Sequence, residues 1–255
     1  MTFDLRSADL DRLNSLTKYP SIPTFHALGA KGALTEDSLT FDGPVLLTEK
    51  IDGTNTRVVV FPDGRYVIGS RSELLHARGD IIANPALGIV DAVRDAAERL
   101  VDSAEPGALL AFYGEVYGGK VTGASKQYTG SRRVGFRLFD VVRTEAFVDR
   151  LEEEPEAIAA WRNGGGQTFV GEEELQALAS RFELEVTPRI ARVDAMPSSV
   201  AEAAAFLEEH IPETRSALDE GGGGRPEGLV ARTLDRSVIA KLRFADYRRT
   251  LKRRN

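Results

Sequence analysis

The sequence predicts an α+β fold, a set of short strands with helices gathered into one long stretch. Two observations carry this expectation. Through the first half, glycine and proline punctuate short apolar runs. From about residue 144 to about residue 220 the segments become helical in pattern and acidic. The 255 residues suffice for one large domain or two modest ones, with a substantial core in either case. They contain no internal repeat. The expected organisation is a single domain over residues 1–255, with a mostly helical acidic insertion at about 144–220.

The elements follow in chain order. VLLTE (residues 45–49), TRVVVF (56–61) and RYVIGS (65–70) read as strands. Pro62, Asp63 and Gly64 form a tight turn between the second and third, which predicts a hairpin. GIVDAVRDAAERLV (88–101) places Ile89, Val93, Ala96, Ala97 and Leu100 on one helical stripe. ALLAFYGEVYG (108–118) and VGFRLFDVV (134–142) return to strands. LEEEPEAIAAWRN (151–163), GEEELQALASRF (171–182) and SSVAEAAAFLEEH (198–210) read as helices, the last with a serine cap. ELEVTPRIARV (183–193) is a strand between the last two. The run GGGG (221–224) reads as a flexible loop before two final strands, EGLVAR (227–232) and SVIAKLR (237–243).

Composition narrows the chemistry. There is no cysteine, hence no disulfide, thiolate metal site or cysteine nucleophile. His26, His76 and His210 are too scattered for a histidine metal cluster. No run of about 18 apolar residues exists, and the N-terminus lacks a secretory pattern. A cytoplasmic protein without a membrane partner is expected. The formal charge of −6 argues against a general nucleic-acid binder. The charge is uneven, however: acids crowd residues 151–185, while bases crowd residues 120–143 and the tail YRRTLKRRN. One basic face on an acidic protein is therefore expected.

The stretch TEKIDGTN (48–55) poses the functional question, because Lys50 beside an Asp-Gly turn is either an ordinary surface lysine or a nucleophile. Other charged residues lie within or at the ends of the expected strands: Asp52, Arg71, Glu115, Asp140, Glu227, Lys241 and Arg243. Charged side chains are rarely buried without partners. Strand ends opening into one cleft explain them together. Four bases and several carboxylates there suit a triphosphate with its metal ion.

These residues form an ordered series of short motifs: KIDG at Lys50, GSRS at Arg71, FYGEVYG at Glu115, FRLFD at Phe139 and Asp140, EGLVAR at Glu227 and AKLR at Lys241. A lone KxDG is a weak signal; six motifs in order are specific. The series resembles the covalent nucleotidyltransferase superfamily, and within it the RNA ligase 2-like branch of ATP-dependent RNA ligases. The resemblance implies an ATP-grasp-like ligase adenylation domain, with antiparallel sheets around a nucleotide cleft. It implies an enzyme that uses ATP and Mg²⁺ or Mn²⁺ to join 5′-phosphate and 3′-hydroxyl ends of RNA, or of an RNA-containing nicked duplex, in end repair or nick sealing.

In that family a lysine attacks the α-phosphorus of ATP and becomes lysyl-AMP. The amine must be neutral, whereas a free lysine has a pKa of about 10.4; nearby cations and desolvation can lower it. Resemblance gives Lys50 this role. It puts Asp52 and Gly53 beside the nucleotide, Glu49 at the adenine edge and Asn55 on the strand or ordering the site. It puts Arg71 at the ribose, Phe139 stacked on the base with Asp140 alongside, and Glu115 and Glu227 on ribose and metal. Lys241 and Arg243 would grip the α-phosphate. The family shows Lys-x-Lys at this last position and this chain has Lys-Leu-Arg. Arginine keeps the charge but cannot donate a proton near neutrality. The bases of 120–143 and 248–254 are the expected holders of the polynucleotide.

The chain ends fourteen residues after Lys241, which leaves no expected C-terminal OB domain and admits a protein partner. Two alternatives remain: a capping-type enzyme that forms a lysyl-nucleotide but serves another acceptor, and a non-catalytic nucleic-acid end-binding protein.

Overall fold

The structure, a computed structural model, describes residues 3–77 and 88–254. Helix α1 (Leu10–Thr17) begins at Asp9, whose carboxylate accepts from the N–H groups of Asp11 and Arg12. A small hairpin follows, β1 (His26–Leu28) with β2 (Leu34–Ser38). Next come β3 (Val45–Lys50), β4 (Thr54–Val60), β5 (Tyr66–Ser70) and β6 (Leu74–Ala77). Helix α2 (Ile89–Leu100) precedes the long strands β7 (Ala108–Gly118) and β8 (Val134–Glu145). The acidic stretch supplies α3 (Phe147–Arg150), α4 (Pro155–Asn163), β9 (Thr168–Phe169), α5 (Glu172–Arg181), β10 (Arg189–Val193) and α6 (Val200–His210). Then follow β11 (Gly228–Thr233), β12 (Ile239–Arg243) and α7 (Phe244–Arg254).

The strands build two main antiparallel sheets, ordered β6-β5-β4-β7-β8-β9 and β10-β3-β11-β12. The run TRVVVF is apolar without alternation because both faces of its sheet are covered. Val58 and Val60 face a core shared with α2 and α5. Val59 and the adjoining Phe61 face the other core, shared with Leu13 and Leu16 of α1 and Ile158 of α4. In the smaller sheet, Leu47, Leu229, Ala231 and Leu242 pack on Val200, Ala203 and Leu207 of α6 and on Phe244 and Tyr247 of α7.

Several sequence expectations hold. β4 and β5 pair as a hairpin, with Gly64 at φ 77° in its turn. The α2 stripe is buried throughout, and Ser199 caps α6 in a capping box with Glu202. Others are corrected. Residues 151–163 do not form one helix; α4 starts at Pro155, which has no N–H to donate to a preceding turn. Only residues 189–193 of the expected strand at 183–193 are strand, and Val186 makes a single bridge to Leu138. The glycine run is clamped rather than loose. A Cβ on Gly221 would lie 2.6 Å from the Gly130 Cα, and one on Gly222 would lie 2.5 Å from the Tyr128 carbonyl oxygen. The acidic stretch is woven into the fold, because β9 extends the larger sheet and β10 edges the smaller. No helix among the described residues is long and apolar enough to cross a membrane.

Candidate active site

TEKIDGTN is not a hairpin. β3 belongs to the four-stranded sheet and β4 to the six-stranded one, so residues 51–53 carry the chain from one to the other. Gly53 is required there: a Cβ would lie 2.4 Å from the Val116 carbonyl oxygen and 2.9 Å from Glu115 Cγ. Between the sheets lies a cleft of about 450 Å³. Lys50, Asn55, Arg71, Glu115, Phe139, Glu227, Lys241 and Arg243 all line it, with Gly53.

Strand register gathers the charged end. Gly228 of β11 stands opposite Lys50 on one side and Arg243 on the other. A Cβ on Gly228 would come within 1.9 Å of the Leu242 carbonyl oxygen, so only glycine lets these strands meet. Lys50 Nζ donates to Glu227 Oε2 at 2.5 Å. Residues 23–25 run along the outer edge of β12, where Phe25 N–H donates to the Lys241 carbonyl and Lys241 N–H to that of Pro23. Burial first, then the charges of Arg243 and Lys50, lower the Lys241 pKa. The Arg243 guanidinium is held as a fork by Asp246, at 2.6 and 3.1 Å, and reaches within 3.7 Å of Glu227. A lysine could not make that two-pronged bond.

Glu115 stands on β7 opposite Asn55 of β4. Burial pushes its carboxyl up to about 8, with Glu227 and Asp52 adding to the rise. Burial and the charge of Glu227 likewise raise Asp52. The Asn55 side-chain oxygen is buried without a partner. Such a polar atom facing a cleft calls for a ligand or water. Arg71 is exposed at the rim.

At the far end, Phe139 is the extra residue of a β-bulge: Tyr113 pairs with Asp140, and Gly114 with Leu138. The bulge turns the Phe139 ring into the cleft, edge-on to Tyr19 at 5.1 Å. Val230, Ile239 and Thr48 also line the cleft.

Three expected residues are placed differently. Asp52 is not among the cleft-lining residues, although it lies close enough to feel Lys50 and Glu227. Glu49 borders the cleft, but its carboxylate is taken by the Thr214 and Ser216 hydroxyls and the Arg215 N–H. Strand alternation explains this, since Glu49 and Lys50 point to opposite faces. Asp140 is 1% exposed and saturated by Tyr19 Oη (2.5 Å), Arg232 (2.9 Å) and Arg236 (2.8 Å). Asp140 does line the cleft, with its carboxylate engaged inside the fold by these three groups. The sequence reading passed over Arg232, which bonds the Phe139 carbonyl and Asp140 and also pairs with Glu172. It passed over Tyr19 as well. The only signal for Arg232 was its position at the end of EGLVAR.

No group of three metal-ligating side chains exists among the described residues. Mg²⁺ does not need one, since it is commonly held by one or two carboxylates together with substrate phosphates and water. Glu115 and Glu227 share the cleft, and a cation there would favour the charged form of the Glu115 carboxyl, whose pKa burial first and Glu227 next raise. The residues fit a divalent ion carried in with a polyphosphate.

Two antiparallel sheets around a charged cleft are a fold shared with solved RNA ligase structures. A Naegleria gruberi RNA ligase, a lysine-to-alanine variant with ATP and manganese, matches at 17% identity and a TM-score of 0.54, covering 90% of this chain and 63% of its own. The same ligase with pyrophosphate matches at 17% and 0.53, covering 92% and 64%. An archaeal ATP-dependent RNA ligase matches at 19% and 0.55, covering 90% of this chain and 49% of its own. The chain thus spans less than two thirds of the length of these ligases. Among curated protein sequences none matches significantly. The profile of the RNA ligase family matches residues 43–252, and the chain belongs to that family.

Proposed function

We propose that the protein is an ATP-dependent RNA ligase that joins 5′-phosphate and 3′-hydroxyl ends through lysyl-AMP and an adenylated RNA end. The observation that carries this reading is the convergence of Lys50, Glu115, Glu227, Lys241 and Arg243 on one cleft with an aromatic at its far end. Residues 1–255 act as one adenylyltransferase unit, because strands of the acidic stretch complete both sheets. Lys50 is the nucleophile. Glu227 holds its Nζ, and the proton must leave before attack. Lys241 and Arg243 face the α-phosphate and stabilise charge in each displacement. Phe139 stacks on adenine, Arg71 meets the ribose, and Asn55 offers its unpartnered oxygen to the bound substrate. Glu115 and Glu227 hold Mg²⁺ or Mn²⁺, which when bound neutralises phosphate charge. The similar Naegleria ligase structures, with ATP and manganese or with pyrophosphate, support the same assignment. The acceptor is RNA or an RNA-containing nicked duplex, and a cytoplasmic setting fits a chain without cysteine.

The test is label transfer. With α-labelled ATP and Mg²⁺, the protein retains label after denaturation, and Lys50→Ala retains none. Label from GTP alone would replace this reading with a capping-type enzyme. No label from either nucleotide would point to an end-binding protein.

A further inference from the structure

Residues 119–133 join β7 to β8 and carry Lys120, Lys126, Arg132 and Arg133 with no acidic residue. All four are exposed. Among the described residues, none of their side chains has a hydrogen-bond or ion-pair partner. Other bases of the two basic segments, Arg248 and Lys252 apart, are engaged within the fold. Arg137 pairs with Glu185 at 3.1 Å, and Arg143 with Glu105 and Glu174 at 2.9 and 2.8 Å. In α7, Arg249 and Arg253 bond the Gly32 and Lys31 carbonyls, and Arg254 pairs with Glu36. That helix end ties down the β1–β2 hairpin.

The 119–133 loop is held from behind. Asp219 accepts from the Gly130 N–H (2.8 Å), the Ser131 hydroxyl (2.7 Å) and the Thr129 hydroxyl. Gly223 and Gly224 donate to the Gln127 carbonyl at 3.0 and 2.9 Å, and Leu218 donates to that of Tyr128 at 2.7 Å. Its inner side grips the nucleophile turn. The Asp52 N–H donates to Tyr128 Oη at 2.6 Å, and the Thr122 hydroxyl donates to the Asp52 carbonyl at 3.2 Å. Tyr128 is fully buried, edge-on to Tyr117 at 5.1 Å and clustered with Ile51. Both backbone groups of the residue two after Lys50 are therefore fixed by this one loop.

We propose that the β7–β8 loop holds the phosphodiester backbone of the polynucleotide, and that Tyr128 and Thr122 keep the Lys50 turn in register with it. The inference rests on the ligase reading above and assigns the substrate strand to a surface. Unpaired cations with no neighbouring acid on their own loop favour phosphate. A loop already ordered loses little entropy when the strand arrives. Register matters because a displacement of about 1 Å at a reacting centre can cost about a hundredfold in rate.

Two measurements test it. A variant with Lys120→Gln, Lys126→Gln, Arg132→Gln and Arg133→Gln is compared with wild type for binding a 5′-phosphorylated RNA oligonucleotide across a salt series. The expected result is an affinity loss of about tenfold or more, and a log–log salt slope shallower by about two to three. Affinity and slope equal to wild type would overturn the surface. This arm needs no catalysis, so it judges the surface even if wild type takes no label from ATP, a result that would instead sink the ligase reading. In the second measurement, Tyr128→Phe and Thr122→Val take label from ATP about tenfold more slowly, with the KM for ATP within twofold of wild type. Thr122→Ser, which keeps the hydroxyl, restores the rate. Wild-type rates in both variants, or equal losses in Thr122→Ser and Thr122→Val, would overturn the positioning role.

Discussion

Glu115 shows how a site residue can work against the fold that holds it. Its folded carboxyl titrates at about 8, above its ordinary 4.5, chiefly because of burial. Between those values the folded state keeps a proton that the unfolded chain releases, so this group's contribution to stability falls as pH rises through the window. Glu115→Gln cannot ionise. Melting without nucleotide or metal should show the variant gaining on wild type from pH 5 to pH 8, while its label transfer from ATP drops; a gap independent of pH would refute the cause. Arg243 makes a different point. Its fork on Asp246 presets one cation at the place where the family shows lysine. Arg243→Ala should slow self-adenylylation about a hundredfold, the usual loss on deleting one electrostatic stabiliser. Arg243→Lys should recover most of the rate if charge is what the site needs. Arg243 and Asp246 are three residues apart, so the pairing could be read from sequence only by knowing that β12 passes directly into α7.

Strands position this site more than loops do. Gly228 lies between Lys50 and Arg243 in the register of three strands, with no room for a methyl group against the Leu242 carbonyl. Gly228→Ala should cost about 1–3 kcal/mol or more, because backbone cannot yield as a side chain can. It should also slow label transfer by shifting Arg243. A melting temperature and rate matching wild type would contradict this packing argument. The bulge at Phe139 is a second device of this kind. Period-two alternation along VGFRLFDVV places Leu138 and Asp140 on one face and Phe139 on the other, but cannot show that one residue is unpaired. The core stripe of α2 was legible because the helix lays one face on a single sheet. The strand at 183–193 was only half legible, because its pairing depends on an edge that the sequence does not name.

Across the molecule, the two sheets are joined at both ends of the cleft. Residues 51–53 cross between them beside Lys50. At the other end Asp140 of β8 meets Arg232 of β11, with Arg236, Tyr19 and Glu172 completing a buried network. Removing one partner of a buried pair leaves the others uncompensated, at about 3–5 kcal/mol. Asp140→Ala should therefore lower the melting temperature sharply, and any loss of label transfer should follow the loss of folded protein. A variant that stays stable yet fails to take label would return Asp140 to the nucleotide site. That network uses Glu172 of the 144–220 stretch, which serves Arg189 and Arg232, and a separate pairing uses Glu174, which serves Arg143. An acidic stretch that looks like a solvated layer in one dimension is in part the counter-charge for the sheets.

By itself the sequence determined the residue types the chemistry requires and their order along the chain, from Lys50 to Arg243. These are local signals, since a motif is read from neighbouring residues and a strand or helix from its own period. Only the tertiary structure decided which carboxylates are free to act. Glu49 and Asp140 are bonded by groups more than 90 residues away, and Asp52 is pinned through its backbone by Tyr128 and Thr122. The partner that satisfies a buried charge is set by how two sheets pack, and no spacing along one strand encodes it.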